Sequence, residues 1–169
     1  SATSVFDVDA IGMVRILSRL NEGIDLAGYS VGVKCGFTIA CAFNPISIDN
    51  EVELDRLKRK ADAGAHLVYT QPVFKELDAD VAMEACEKVG LPVFIGVMPL
   101  RSTRHAEFMH NEVPGVNVTP EILERMRVAS EKDKETAREE GITIARESLT
   151  EVKDLIQGVQ ISAPAGTVE

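Results

Sequence analysis

The sequence predicts an α/β fold, with four parallel strands flanked by helices. Short apolar segments alternate with helical patterns along the chain, which is typical of a buried parallel sheet with helical crossovers. Each apolar segment ends at a proline, a residue that cannot donate a hydrogen bond to a sheet ladder. The first three of these prolines, Pro45, Pro72 and Pro99, follow one another at equal intervals. Such an interval accommodates one strand, one helix and two short loops.

The four predicted strands are apolar and stop where their prolines begin a loop, because proline also forces the preceding residue into an extended conformation. Their segments are Phe37–Pro45, His66–Pro72, Pro92–Pro99 and Ile156–Pro164.

The predicted helices combine apolar residues at spacings of three and four with start and stop signals. Asp9 is a predicted cap of the first helix, and Thr119-Pro120-Glu121 is a strong helix start. The last helix carries its apolar residues at Ile142, Ile144, Ala145, Leu149, Val152 and Leu155, and Gly141 could divide it in two. The predicted helical segments are 8–22, 50–63, 77–89, 103–112, a segment beginning at 119–121, and 131–155.

Two architectures remain open from this pattern. Four strands can form a small open sheet, or they can form half of an eight-stranded (β/α)8 barrel, which typically requires about 250 residues. Residues 1–164 are expected to form one domain, and residues 165–169 a flexible tail.

Composition excludes several classes of function. The chain has 169 residues, 45% of them hydrophobic, and a net charge of −9. This charge argues against binding to nucleic acid or to an anionic membrane surface. No apolar run approaches the roughly 20 residues of a membrane span, and the first ten residues do not resemble a signal peptide. The three cysteines form no C-x-x-C pair, which favours a reducing cytoplasm.

Gln71 is the first candidate for a binding residue. It follows a predicted buried strand and precedes Pro72, so its amide is expected at the carboxyl end of the sheet, where α/β enzymes bind ligands. An amide offers a donor and an acceptor together, which suits a pterin or a carboxamide edge. The alternative is that Gln71 satisfies backbone groups of the loop.

Further polar residues follow the first predicted strand. Asn44 occupies the place equivalent to Gln71, although asparagine is also common in turns for its own backbone hydrogen bonds. Glu53, Arg56, Arg59 and Lys60 share one side of the next helix, where basic side chains could hold a phosphate. The alternative is a solvated helix face with internal ion pairs.

Arg101 and Arg104 follow the third predicted strand, where barrel loops often bind phosphate. They are also a basic helix start, which the helix dipole does not favour. The three histidines have no metal-binding spacing, and no carboxylate follows a strand in a position typical of a general acid. An enzyme built on this chain would therefore take its acid from elsewhere.

Three stretches together resemble the methylenetetrahydrofolate reductase family. They are LKRKADAGAHLVYTQPVF (57–74), GLPVFIGVMPL (90–100) and RHAEFMHNEVPG (104–115). The opening segment Ala2–Gly28 is similar to the form of this family that is fused to a homocysteine methyltransferase. The resemblance extends to about Pro164, and the first stretch is the most specific.

The resemblance implies a (β/α)8 barrel that binds FAD and transfers a hydride from NAD(P)H to 5,10-methylenetetrahydrofolate. Gln71 matches the residue that contacts the pterin and the nicotinamide carboxamide in turn. Flavin-binding positions are matched by Asn44, Glu53, Arg56, Arg59 and Lys60. Asn44 stands where other members often place a tyrosine, and Glu53 where they often have aspartate.

The chain departs from the family pattern in ways that predict a partial barrel. The catalytic glutamate of the first strand and the Gly-Asp flavin loop after the fourth have no counterpart here. Loop 44–47 lacks a histidine, and residues 101–104 lack the aromatic side chain that other members often carry. The chain is therefore expected to contain strands five to eight only, and to be inactive in isolation.

The resemblance implies partners as well as a substrate. A missing N-terminal half-barrel, or a second copy of the chain, is expected to complete the barrel, and a homocysteine methyltransferase domain is a further expected partner. Two other functions remain open. One is a non-catalytic half-barrel that binds folate or flavin within a split enzyme. The other is a small α/β enzyme that binds phosphate through Arg101 and Arg104.

Overall fold

The computed structural model describes residues 7–163, which form six helices and four strands. The helices are α1 (Ala10–Glu22), α2 (Asn50–Asp62), α3 (Glu76–Val89), α4 (Thr103–Glu112), α5 (Pro120–Lys132) and α6 (Lys134–Val152). The strands are β1 (Ala40–Phe43), β2 (Leu67–Pro72), β3 (Val93–Val97) and β4 (Gly158–Ile161). The tail predicted for residues 165–169 lies outside the described residues.

The four strands form one parallel sheet in the order β1-β2-β3-β4, so the predicted α/β class is confirmed. Each strand lies beside the next strand in the sequence, and helices connect them. A doubly wound sheet would reverse its strand order at some point, whereas a barrel adds each strand on the same side. The observed order is therefore that of a partial (β/α)8 barrel.

The two faces of the sheet differ in burial. On one face the strands pack against the helices through a continuous apolar layer that includes Phe43, Val68 and Ile95. On the other face Ala42 is exposed, and Tyr69 is 38% exposed. The rings of Tyr69 and Phe94 meet there edge to face, with their centroids 5.6 Å apart. In a closed barrel this open face would line the interior.

Helix boundaries follow the predicted caps. The Asp9 side chain accepts a hydrogen bond from the backbone N–H of Gly12 at the start of α1, and Thr119 accepts one from Ile122 at the start of α5. Side-chain oxygens at these positions satisfy N–H groups that have no partner inside the helix. None of the helices within residues 7–163 is long and apolar enough to cross a bilayer.

The prediction for the last helix was wrong in three respects. Asp133 separates α5 from α6 by capping the backbone N–H of Thr136, so the helix begins later than residue 131. The helix also continues through Gly141. This residue is buried against the loop that precedes α4, and it does not break the helix. Ile142 and Leu155 are exposed, and Leu155 lies beyond the helix end.

A second apolar cluster covers the carboxyl end of β2 and β3. It joins the loops that follow these strands to the packed helices α4, α5 and α6. Its buried members include Phe74, Leu100, Ala106, Met109, Val118, Ile122, Met126 and Ile144. This cluster fixes α4 and its preceding loop close to the strand ends, where the candidate site lies.

Candidate functional site

Gln71 lies in a β-bulge near the end of β2. Tyr69 pairs with Phe94 and Pro72 pairs with Gly96, so three steps along β2 match two steps along β3. The extra residue shifts the register between Tyr69 and Pro72, which is the part of β2 that contains Gln71. Bulges are uncommon in parallel sheets and are enriched beside functional sites, where they redirect a side chain.

A buried hydroxyl holds the bulge in place. Thr70 is 6% exposed, and its Oγ1 donates a hydrogen bond to the Gln71 carbonyl at 2.8 Å. The same oxygen accepts a hydrogen bond from the Gly96 N–H at 2.9 Å. A Cβ at position 96 would lie 2.7 Å from the Thr70 carbonyl oxygen, so the close approach of the two strands requires glycine. Thr70 and Gly96 therefore determine the backbone conformation from which Gln71 projects.

The Gln71 side-chain amide makes no hydrogen bond to any residue among 7–163, although the residue is half-buried. The structure thus gives no support to the alternative that this amide satisfies loop backbone groups. Its donor and acceptor are both available at the carboxyl end of a parallel strand. Binding of a ligand by Gln71 stays a prediction.

Asn44 and Glu53 form a polar turn at the end of β1. The Asn44 Oδ1 accepts a hydrogen bond from the Ile46 N–H at 3.1 Å, which is the local turn bonding expected of asparagine. The Asn44 N–H donates to the Glu53 Oε1 at 3.2 Å and so ties α2 to the strand end. A Cβ on Gly115 would lie 2.9 Å from the Asn44 amide, so the loop after α4 closes over this turn.

Lys60 is turned inward to the sheet. Lys60 is 6% exposed, and its Nζ donates a hydrogen bond to the Ala42 carbonyl oxygen at 2.6 Å. The Ile39 carbonyl accepts hydrogen bonds from the start of β2, and carbonyls alternate in direction along a strand. The Ala42 carbonyl therefore faces the outer edge of β1, where Lys60 satisfies it.

The two arginines of α2 lie in different places. Arg56 is 4.0 Å from Glu53 and its side chain is 57% exposed, so it lies beside the polar turn. Arg59 instead lines a groove of about 290 Å³ between α1 and α2, together with Arg15 and Asp62. The structure thus groups Asn44, Glu53, Arg56 and Lys60 around β1, places Gln71 on the neighbouring strand, and separates Arg59 from both.

A cavity of about 460 Å³ opens at the carboxyl end of β3 and β4. We call it the arginine cavity. Its lining residues are Met98, Arg101, Ser102, Arg104, His105, Phe108, Met109 and Ala163. Sequence reasoning identified the two arginines but missed His105, whose Nδ1 accepts a hydrogen bond from the Arg101 N–H at 3.3 Å. Burial, together with the charge of Arg101, lowers the pKa of His105.

The sequence placed Thr70 beside Gln71 at the strand end without indicating its positioning role, and Gly96 was missed. A signal was present, since an isolated glycine inside a strand pattern often marks a bulge or a close backbone approach. The bulge itself arises from the pairing of β2 with β3, and the sequence pattern of a single strand does not reveal that pairing. Within residues 7–163, no group of three His, Cys, Asp or Glu side chains could hold a metal ion.

A family model described as methylenetetrahydrofolate reductase matches residues 8–161, which is nearly the whole chain. No curated protein matches the chain.

Proposed function

Because the chain belongs to the methylenetetrahydrofolate reductase family, we propose that it forms part of a flavin-dependent oxidoreductase. The proposed reaction reduces 5,10-methylenetetrahydrofolate to 5-methyltetrahydrofolate with NAD(P)H. The family match over residues 8–161 is the observation that carries the proposal, since it identifies an oxidoreductase family that acts on folate. The placement of Gln71 supports it independently.

Gln71 is the proposed substrate-binding residue. A pterin ring and a nicotinamide carboxamide both present a donor beside an acceptor, and a side-chain amide can pair with either edge. The amide has no hydrogen-bond partner within residues 7–163, so binding a ligand breaks no bond in the described structure. Gln71 would hold the heterocycle at a fixed angle and so restrict the directions in which the reacting atoms approach each other. This is the contribution that positioning makes to catalysis.

The proposed flavin-binding residues fit FAD in part. Arg56 is exposed beside the polar turn of Asn44, so both can reach a bound cofactor. Lys60 and Glu53 already bind backbone groups of β1 and its loop, and Lys60 would have to release the Ala42 carbonyl to reach a phosphate. Arg59 faces another groove. When bound, the flavin would supply the hydride relay between the nicotinamide and the folate.

We propose that this chain forms one side of the active site and that a second element forms the other. The proposed element is an N-terminal half-barrel or a second copy of the chain, and it would contribute the acid and the remaining flavin contacts. A homocysteine methyltransferase domain is a further proposed partner, and the cytoplasm is the proposed location. The carboxylate of Glu53 lies near the end of β1, but it already accepts a backbone hydrogen bond. The acid is therefore assigned to the second element.

A flavin-linked assay tests this function. The chain would be incubated with FAD, NADH or NADPH, and 5,10-methylenetetrahydrofolate, and formation of 5-methyltetrahydrofolate would be followed. We expect flavin or folate binding without turnover by the chain alone, and turnover after a complementary half-barrel is added. Turnover by the chain alone would contradict the divided site. Absence of both flavin and folate binding would contradict the proposed function.

A second candidate function is a non-catalytic half-barrel that binds folate or flavin. The open sheet face around Tyr69 favours this candidate, because a ligand or a partner could cover it without any chemical step. Tight folate binding, with no turnover after any complementary half-barrel is added, would favour this module over the enzyme.

A further inference from the structure

We propose that a cavity at the amino end of β3 and β4 binds a primary aromatic amine, that is, a flat apolar ring with a short arm ending in an ammonium group. We call it the α3 cavity. Its volume is about 510 Å³, within the range of small-molecule sites. The inference does not depend on the proposed folate reaction. The lining residues are Met83, Cys86, Glu87, Gly90, Leu91, Pro92 and Gln157.

The α3 cavity lies at the opposite end of the sheet from Gln71. Leu91 and Pro92 directly precede β3, and Gln157 directly precedes β4, so these lining residues stand where the strands begin. β3 has 5 residues and spans about 16 Å at ~3.3 Å per residue. The cavity is therefore separate from the strand ends at which folate is proposed to bind.

The inner wall of the cavity is apolar and contains two sulfur atoms. Met83 and Cys86 lie three residues apart on α3, and both Met83 and Leu91 are partly buried. Cys86 is 2% exposed, and burial raises the pKa of its thiol to about 12, so this part of the wall is neutral. A thioether sulfur makes favourable contacts with aromatic rings. A flat ring therefore suits this wall better than a sugar or a phosphate does.

Hydrogen bonds on both sides hold the cavity open. At the end of α3, the Leu91 N–H donates to the Cys86 carbonyl at 3.1 Å. A Cβ on Gly90 would meet no atom within 4 Å, so space lies beside this turn. On the other side, the Gln157 Oε1 accepts a hydrogen bond from the Val93 N–H at 2.9 Å and fixes the loop before β4. Walls that are already ordered need no further ordering when a ligand binds.

Glu87 carries the one formal charge among the lining residues within 7–163. It is exposed, and its carboxylate makes no hydrogen bond or ion pair to any residue in this part of the chain. The neighbouring Lys88 pairs instead with Glu84 at 2.7 Å. The net charge of −9 also favours the approach of cations. An ammonium group attached to a ring that packs on Met83 would therefore meet an unpaired carboxylate.

NMR titration of the methionine methyl groups tests the site, with phenethylamine as the probe. The chain has five methionines, and Met83→Leu assigns the Met83 signal. We expect a saturable shift of the Met83 methyl signal, because an aromatic ring lies against it. The signals of Met98 and Met109, which line the arginine cavity, should stay constant. Phenylacetate has the same ring with the opposite charge, and it should not bind.

Glu87→Gln keeps the shape of the side chain and removes its charge. It should weaken amine binding by about threefold to tenfold, between the effects of an exposed ion pair and of a charged hydrogen bond. Glu84→Gln is the matched control, because Glu84 lies three residues earlier on α3 and outside the cavity. This variant should bind like the unmodified chain. Equal binding by Glu87→Gln, an equal shift with phenylacetate, or no Met83 shift at millimolar amine would overturn the inference.

Discussion

Thr70 connects the two strands whose relative shift directs Gln71. Its hydroxyl satisfies the Gly96 N–H, which the bulge removes from the regular ladder. Replacement by an isosteric apolar residue would leave that N–H buried and unpaired. The Gln71 backbone would also lose the hydrogen bond to its carbonyl. The hydroxyl is thus a positioning group for the binding amide.

Thr70→Val is predicted to lower the free energy of unfolding by about 1–3 kcal/mol, the cost of an unsatisfied buried polar group. Thr70→Ser keeps the hydroxyl and loses one methyl group, so it should cost about 1 kcal/mol or less. Urea denaturation of the two variants measures the difference. A loss for Thr70→Val no larger than the loss for Thr70→Ser would contradict the role assigned to the hydroxyl.

The cysteines are predicted to differ in reactivity. Cys41 and Cys86 are buried, and burial raises the pKa of Cys41 and raises that of Cys86 to about 12. Since the thiolate is the reactive species, both should be inert at pH 8, whereas the partly exposed Cys35 should react. A disulfide reagent should therefore titrate a single thiol quickly in the folded chain and all three in denaturant. Fast modification of Cys86 would contradict its placement in the core.

At the residue scale, the sequence predicted where side chains lie along the chain better than where they point. Gln71 is at a strand end as expected, and Asn44 makes the local turn bonds that were its alternative role. Arg59 and Lys60 were assigned to one surface, yet they face a groove and the sheet respectively. Adjacent helical residues project about 100° apart, and only the packed structure shows which direction meets the sheet.

At the element scale, the close contact of α6 with the loop after β3 depends on Gly141. A Cβ at this position would lie 1.7 Å from the Leu100 carbonyl oxygen. The sequence suggested a helix break because glycine has a low helix propensity. The tertiary contact outweighs this low helix propensity, because a glycine lets α6 approach the backbone of the loop closely. Helical periodicity contains no information about this contact.

Gly141→Ala is therefore predicted to destabilise the protein, although alanine favours the helix by about 1 kcal/mol. Overpacking of a fixed contact costs about 1–3 kcal/mol or more, and here the neighbour is backbone that cannot rotate away. Thermal unfolding should show a lowered midpoint. Gly36→Ala is the control, because a Cβ there would meet nothing within 4 Å. A stabilised Gly141→Ala variant would contradict the observed packing.

The positions of the strands and helices were predictable because each is bounded by a strong signal. Prolines follow the strands, and Asp9 and Thr119 cap helices that begin within two residues of the expected start. The exposed Ile142 was assigned to the buried face, because an apolar residue alone does not show which stripe of a helix is covered. The pairing order of the strands required the structure, since alternation of elements fits several sheets.

At the scale of the whole molecule, the sheet leaves one face and both outer strands without a covering element among residues 7–163. β1 pairs only with β2 and β4 only with β3 in the described sheet, and Lys60 satisfies one outward carbonyl of β1. Exposed edges and apolar faces promote association. These surfaces are where a second half-barrel would complete the fold.

The chain is accordingly predicted to associate in solution, either with a complementary half-barrel or with a second copy of itself. Light scattering coupled to size exclusion, at micromolar concentration, measures the mass. A dimer or a larger assembly agrees with the prediction, and a monodisperse monomer would contradict it. Addition of a complementary half-barrel should replace self-association with a one-to-one complex.

Binding of folate at Gln71 is the central claim, and NMR titration of the side-chain amides tests it most directly. The chain has three glutamines, Gln71, Gln157 and Gln160, so their amide signals can be assigned with single variants. The Gln157 Oε1 accepts a hydrogen bond from the Val93 N–H, which makes its amide an internal control. With 5-methyltetrahydrofolate we predict a saturable shift of the Gln71 signal and a constant Gln157 signal. A Gln71 signal that stays fixed while folate binds elsewhere, or no shift at millimolar folate, would contradict the account.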